Sequence, residues 1–155
     1  MSSILVILHV LAAVLFLGPV TVAVSTFGPR ALAASRGDQH ALGSVKTLHR
    51  ITELYGIFSL FVPMIGIALM FTGNYWSEGR FHASILLSII AWAVLFFLIL
   101  PRQKNMAGAL GVLDQDELAS NDFQVKNWEK EKSQVAMFGG IFSALWVIVF
   151  ILMML

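Results

Sequence analysis

The sequence predicts an all-α protein: a four-helix transmembrane bundle with N-terminus and C-terminus outside, its second and fourth helices extended into the cytoplasm. Three observations predict it. Hydrophobic residues make up 58% of the 155 and charged residues 12%, against about 45–50% and about 25% in a soluble domain. The apolar residues gather into four runs, about 4–24, 52–71, 82–100 and 135–155, whose only Asp, Glu, Lys or Arg is Glu53 at the start of the second. Of the ten Lys and Arg residues, all but Arg80 fall between runs one and two or between runs three and four.

The first run, Ile4 to Val24, carries a single imidazole, His9, and a Gly18-Pro19 break past its middle. At about 1.5 Å per residue it covers the roughly 30 Å hydrocarbon core of a bilayer. It lacks the basic flank and short apolar stretch of a signal peptide, so it is expected to be retained. A polar connection follows, in which Pro29 suits the first turn of a new short helix and Arg36-Gly37-Asp38 reads as a turn. From Val45, the series Leu48, Ile51, Tyr55 and Phe58 recurs at helical intervals, so the second helix is predicted over about Ser44–Phe71 with its first turns outside the membrane. Gly73 ends it, and Tyr75 and Trp76 suit the headgroup level. The third helix is predicted from about His82 to Leu100, with Pro101 as its stop. Residues 102–133 mix acidic and basic side chains, and Asn121 or Asp122 is the expected cap of a helix leading through Trp128 into the fourth span.

The charge asymmetry sets the orientation. Short connections rich in Lys and Arg stay cytoplasmic, which places both long connections inside, and the whole chain 1–155 reads as one integral membrane domain. The net charge of +1 gives no basis for a nucleic-acid partner. The absence of cysteine rules out disulfides, thiolate catalysis and Cys-ligated metal centres.

Candidate chemistry is sparse. His9 is the one ionisable side chain deep in a span, and such a residue is by default a site hypothesis. It shares a helical face with Ala12, Ala13 and Phe16. Two readings stay open: a neutral imidazole hydrogen-bonded to a neighbouring helix, or a ligand to haem or metal. His9, Met70, His82, Met153 and Met154 all map to the outer side, a donor set suited to copper and equally to apolar gap-filling. Gly18-Pro19 and Pro63 each remove a helical hydrogen bond, to the Leu15 and Ser59 carbonyls, and read as kinks. Gly18, Pro19, Gly139, Gly140, Ser143 and Ala144 are the expected helix-packing positions, the last four forming a small-xxx-small pattern. His40 and His49 read as surface residues. Catalytic residues and a dedicated metal site are expected to be absent.

The opening HVLAAVLFLGP, with His9 ahead of Phe16 and Gly18 and then Pro29-Arg30, resembles an uncharacterised bacterial family of four-helix inner-membrane proteins. More distantly it resembles the membrane parts of copper-resistance protein D and the HemJ-type protoporphyrinogen oxidases. The latter resemblance implies His9 as a ligand of haem b. In size, span count and lack of catalytic groups the chain is also similar to the respiratory supercomplex association factor of actinobacteria. That resemblance implies a non-catalytic accessory subunit of a cytochrome bcc–aa3 type supercomplex in the bacterial inner membrane, with lipid and other integral membrane subunits as partners and no cofactor. The alternative is a haem- or copper-binding membrane protein using His9.

Overall fold

The computed structural model describes residues 2–73 and 75–155. Among the described residues there is no strand. Four helices are long and apolar enough to cross a membrane: α1 (Ser3–Ser35), α2 (Gln39–Met70), α3 (Gly79–Ala109) and, after the short α4 (Gln115–Ser120), α5 (Trp128–Met154). The chain is therefore a multi-pass membrane protein.

Helix α1 runs well beyond its apolar stretch. The expected end near Val24, with Pro29 opening a separate helix, is corrected: Pro29 lies inside the continuous helix. Val20, Ala23, Val24, Phe27, Gly28, Ala31 and Ala34 are all buried, at steps of three and four that pass straight through the proline. The one hydrogen bond Pro29 cannot donate is outweighed by this buried face. At Gly28 the approach is close enough that a Cβ would stand 3.2 Å from the Lys132 carbonyl oxygen on α5.

The turn into α2 depends on Gly37, whose φ of 98° is open to glycine at little cost. The amides of Gly37 and Asp38 bond back to the Ala34 and Ala33 carbonyls, the paired closure typical of a helix C-terminus. Asp38 then caps α2, its carboxylate accepting from the His40 and Ala41 amides. That cap starts α2 at Gln39, a turn earlier than the apolar periodicity from Val45 indicates. Gly111 (φ 74°) closes α3 in the same way, with the Val112 amide on the Ala107 carbonyl.

Pro101 does not stop the third helix, another correction. Val94–Ile99 forms a π-helical stretch and the helix continues to Ala109. A comparable stretch, Ala13–Leu17, precedes Pro19. A proline withholds its N–H from the carbonyl four residues back, and a wider turn lets such a carbonyl reach a later amide. In α2 the carbonyl that Pro63 leaves free, that of Ser59, accepts instead from the Val62 amide at 3.1 Å.

The cap of the last helix also differs from expectation. Asn127, not Asn121 or Asp122, caps α5 by accepting from the Lys130 amide. Residues 121–127 are pinned in place instead: the Phe123 ring fills the space a Cβ on Gly108 would need, and Asn105 donates to the Gln124 carbonyl.

The core is lopsided. One cluster gathers Val20, Val24, Leu95, Ile99 and Phe142, and a second Phe27, Ala31, Val45, Met106 and Val135. Both lie in the half of the bundle near the long connections. In the half near the termini, α1 packs on Phe61–Met70 of α2, and α3 packs on α5, while Phe61–Met70 and Gly79–Ala93 scarcely touch. Between these two pairs a cavity remains.

Candidate functional site

That cavity has a volume of about 50 Å³ and is lined by residues from all four long helices. Helix α1 contributes His9. The imidazole can enter because the facing position on α2 is Gly66, where a Cβ would be only 3.0 Å from the ring's Cε1. Phe16, two turns further along, fixes the α1–α2 pair by packing its ring among Tyr55, Phe58 and Phe61 at centroid distances of 5.7–6.5 Å.

The opposite wall comes from α3 and α5. Ser84 and Ser88, four residues apart, present the same helical face, and each donates its proton along its own helix, to the Arg80 and Ser84 carbonyls. Trp146 also lines the cavity, its indole packed edge-on against Trp92 at 5.2 Å. The two tryptophans differ in one respect. Trp92 Nε1 donates to Ser59 Oγ at 2.9 Å, whereas Trp146 Nε1 is buried without a partner.

His9 has the same deficit. Its Nδ1 is buried and unpartnered. Two residues on two helices, each with an orphaned polar atom, thus line one small cavity, although buried polar groups are nearly always satisfied.

Of the outer-side donor set, His9, Met70 and Met153 line this cavity. His82 and Met154 stand apart: His82 is exposed beside Glu78 O and the Trp76 ring, and Met154 is exposed. Haem does not fit here. Pockets that enclose even drug-sized ligands measure about 300–1,000 Å³, and the His9 ring is pressed edge-on to Gly66.

The packing positions divide. A Cβ on Gly139 would lie 3.2 Å from the Val24 carbonyl oxygen, so α5 meets α1 backbone to backbone there. Ser143 donates to the Gly139 carbonyl. Gly18 and Gly140 have nothing within 4 Å of a would-be Cβ, and Ala144 is exposed. Pro19 is half-buried.

His49 needs correcting from surface to interior. It is 6% exposed, with Nδ1 3.4 Å from Oε1 of the fully buried Gln103. His40 is exposed. Sequence reasoning passed over Gly66, Ser84, Ser88 and Trp146. The Ser84–Ser88 spacing inside an apolar run was the available signal, since two hydroxyls on one face of a span mark a side that does not look at lipid.

Among the described residues no group of three or more His, Asp or Glu is placed to hold a metal ion. Comparison of the chain with protein-family models, with curated proteins and with solved structures finds no match.

Proposed function

We propose that the protein works by association: a non-catalytic accessory subunit of a larger membrane complex in the bacterial inner membrane, of the respiratory cytochrome bcc–aa3 kind. The observation supporting this reading is the coverage of α1. Ile4, Ile7, Val10, Leu11, Val14 and Leu15 are all exposed, so beyond His9 and Ala12 the terminal half of this helix offers uncovered apolar faces. The charged side chains gather at the ends of the four runs and in the connections, so along the apolar stretches a surface for neighbouring membrane helices is what the molecule has to offer. In this reading both termini lie outside and the long connections lie in the cytoplasm, as the Lys and Arg distribution favours.

The test is photo-crosslinking from Val14 in native membranes, followed by gentle extraction and identification of the attached chains. Recovery of a discrete integral membrane partner, with cytochrome bcc or aa3 subunits alongside, supports the proposal. Lipid adducts alone from a chain that purifies by itself would overturn it, as would stoichiometric haem or copper in the wild-type protein that is lost in His9→Gln. Orientation has its own check. Cysteines placed at Gly37 and Ser120 should be shielded from an impermeant reagent applied outside, and one at Ser77 should react; the opposite pattern reverses the topology.

A further inference from the structure

We infer that the cavity between the two helix pairs is a binding site for a single hydroxyl group, held between Trp146 Nε1 and His9 Nδ1. This stands on the orphaned atoms, independently of any partner complex.

The argument is one of donors and acceptors. An indole N–H can only donate, so whatever satisfies Trp146 must offer a lone pair. A neutral imidazole has one donor and one acceptor nitrogen; with the ring proton on Nε2, Nδ1 is the acceptor, and whatever satisfies it must offer a proton. A hydroxyl oxygen does both at once. A carbonyl has no proton to give, and a metal cation has nothing to accept from the indole. The Ser84 and Ser88 hydroxyls have spent their protons on backbone carbonyls, so their oxygens remain acceptors for a second proton, such as that of water.

Size and surroundings agree. A cavity that admits water needs at least about 10–15 Å³ and two to four polar partners; this one has about 50 Å³ and four polar side chains on its walls. The rest of the lining, including Ile67, Phe81 and Ile85, is apolar and sits where α2 and α3 scarcely touch. An occupant with a hydrocarbon body can therefore lie towards the membrane with only its hydroxyl inside. The shared chemistry is the hydroxyl; its sources are water or a membrane lipid alcohol.

The experiment is solid-state NMR of histidine- and tryptophan-labelled protein in nanodiscs of phosphatidylcholine, which has no hydroxyl, with and without an added long-chain alcohol. His9→Gln assigns the His9 signals. The expected result is an unprotonated, hydrogen-bonded Nδ1 with magnetisation transfer from water in plain nanodiscs. If the lipid alcohol is the preferred occupant, transfer from its chain replaces that from water. Either source supports the inference, and in both cases the transfer to Nδ1 is lost in Trp146→Phe. Three results overturn it, and the first two need only wild-type protein: no transfer to Nδ1 from either source, a protonated Nδ1, or Cu(I) titration that binds one equivalent through Nδ1 with Met70 and Met153 and is abolished by His9→Gln.

Discussion

The two halves of the bundle obey different rules although one set of helices builds both. Near the long connections, helices meet backbone to backbone, at Gly28 against Lys132 and Gly139 against Val24, and the chain between α3 and α5 folds back over them. Arg36 pairs with Glu129, Arg50 with Asp114 and Lys104 with Glu117. Exposed pairs of this kind contribute little singly, but each joins a connection to a different helix. Near the termini the same helices separate into pairs, and polar atoms are left facing a gap. Close packing in a membrane rests on small residues that let backbones approach, since lipid offers helices no hydrophobic reason to associate. Where α1 and α5 have such residues opposite one another the bundle is sealed. Between α2 and α3 the small residues Gly66, Ser84 and Ser88 line the cavity instead, and the two helices stay apart.

The largest effect should come from filling a close approach. Gly139→Leu would force α5 off α1, and overpacking of this kind costs about 1–3 kcal/mol. Gly140→Leu, next in sequence but facing open space, should be neutral or stabilising by up to about 1 kcal/mol, because glycine is a poor helix former. Unfolding of both variants in bicelles measures the contrast. Equal losses would mean that the small-residue pattern as a whole, and not one face of it, holds the helices.

Second in size is Trp92→Phe. It keeps a ring against Trp146 but removes the bond to Ser59 Oγ at the border between the halves, a loss of about 1 kcal/mol on the scale of interhelical hydrogen bonds in membranes. Ser59 still donates to the Gly56 carbonyl, so the remaining groups are not all stranded. A cost well above that would show that the sealed half depends on this border contact.

How much of this was legible beforehand follows from what kind of signal each feature leaves. Four apolar runs with charge between them are a one-dimensional pattern, and the four long helices follow from it. Helix ends are not, because Pro29 and Pro101 carry strong local stop signals that packing and a π-helical turn override. The buried series Val20, Val24, Phe27, Ala31 and Ala34 was in fact written through Pro29, at spacings a helix uses, but its members beyond the proline are both alanines and score weakly as core. His49 looked like surface because its neighbours Lys46 and Arg50 are charged; its own face, shared with Val45 and Thr52, is the buried one. His9 stood out alone as an imidazole in a span. Its counterparts Gly66, Ser84, Ser88 and Trp146 come from three other helices, and no spacing along a sequence relates them.

A third, smaller effect probes the open half. Gly66→Ala puts a methyl carbon 3.0 Å from His9 Cε1. Its neighbour is the side chain of a thinly covered helix segment rather than a backbone. The variant should therefore keep its stability within about 1 kcal/mol, the helix-propensity gain of alanine offsetting the contact, while the His9 ring signals shift in NMR. A loss as large as that of Gly139→Leu would contradict the claim that this half yields more easily.

The smallest effect concerns the folded-back connection and depends on pH. The Lys104 ammonium, whose Nζ is 2.7 Å from Glu117 Oε1, holds the Glu117 carboxyl below its ordinary range, chiefly by hydrogen bonding and in part by charge. A carboxyl whose folded pKa is depressed contributes stability that is present above its unfolded value, about 4.3, and is lost as pH falls through the folded value. Docking of α4 should therefore hold at neutral pH and loosen only in acid, below the range in which free carboxylates protonate. Both groups are partly exposed, so the effect should be confined to α4 and shrink with added salt. Carboxyl carbon NMR of Glu117 reads it directly: the midpoint should lie below the ordinary value in wild-type protein and return to it in Lys104→Gln, with the transmembrane helices unchanged in both. A midpoint indifferent to Lys104 would mean that α4 is held by its apolar contacts alone, leaving the ion pair no part in the contrast between the two halves.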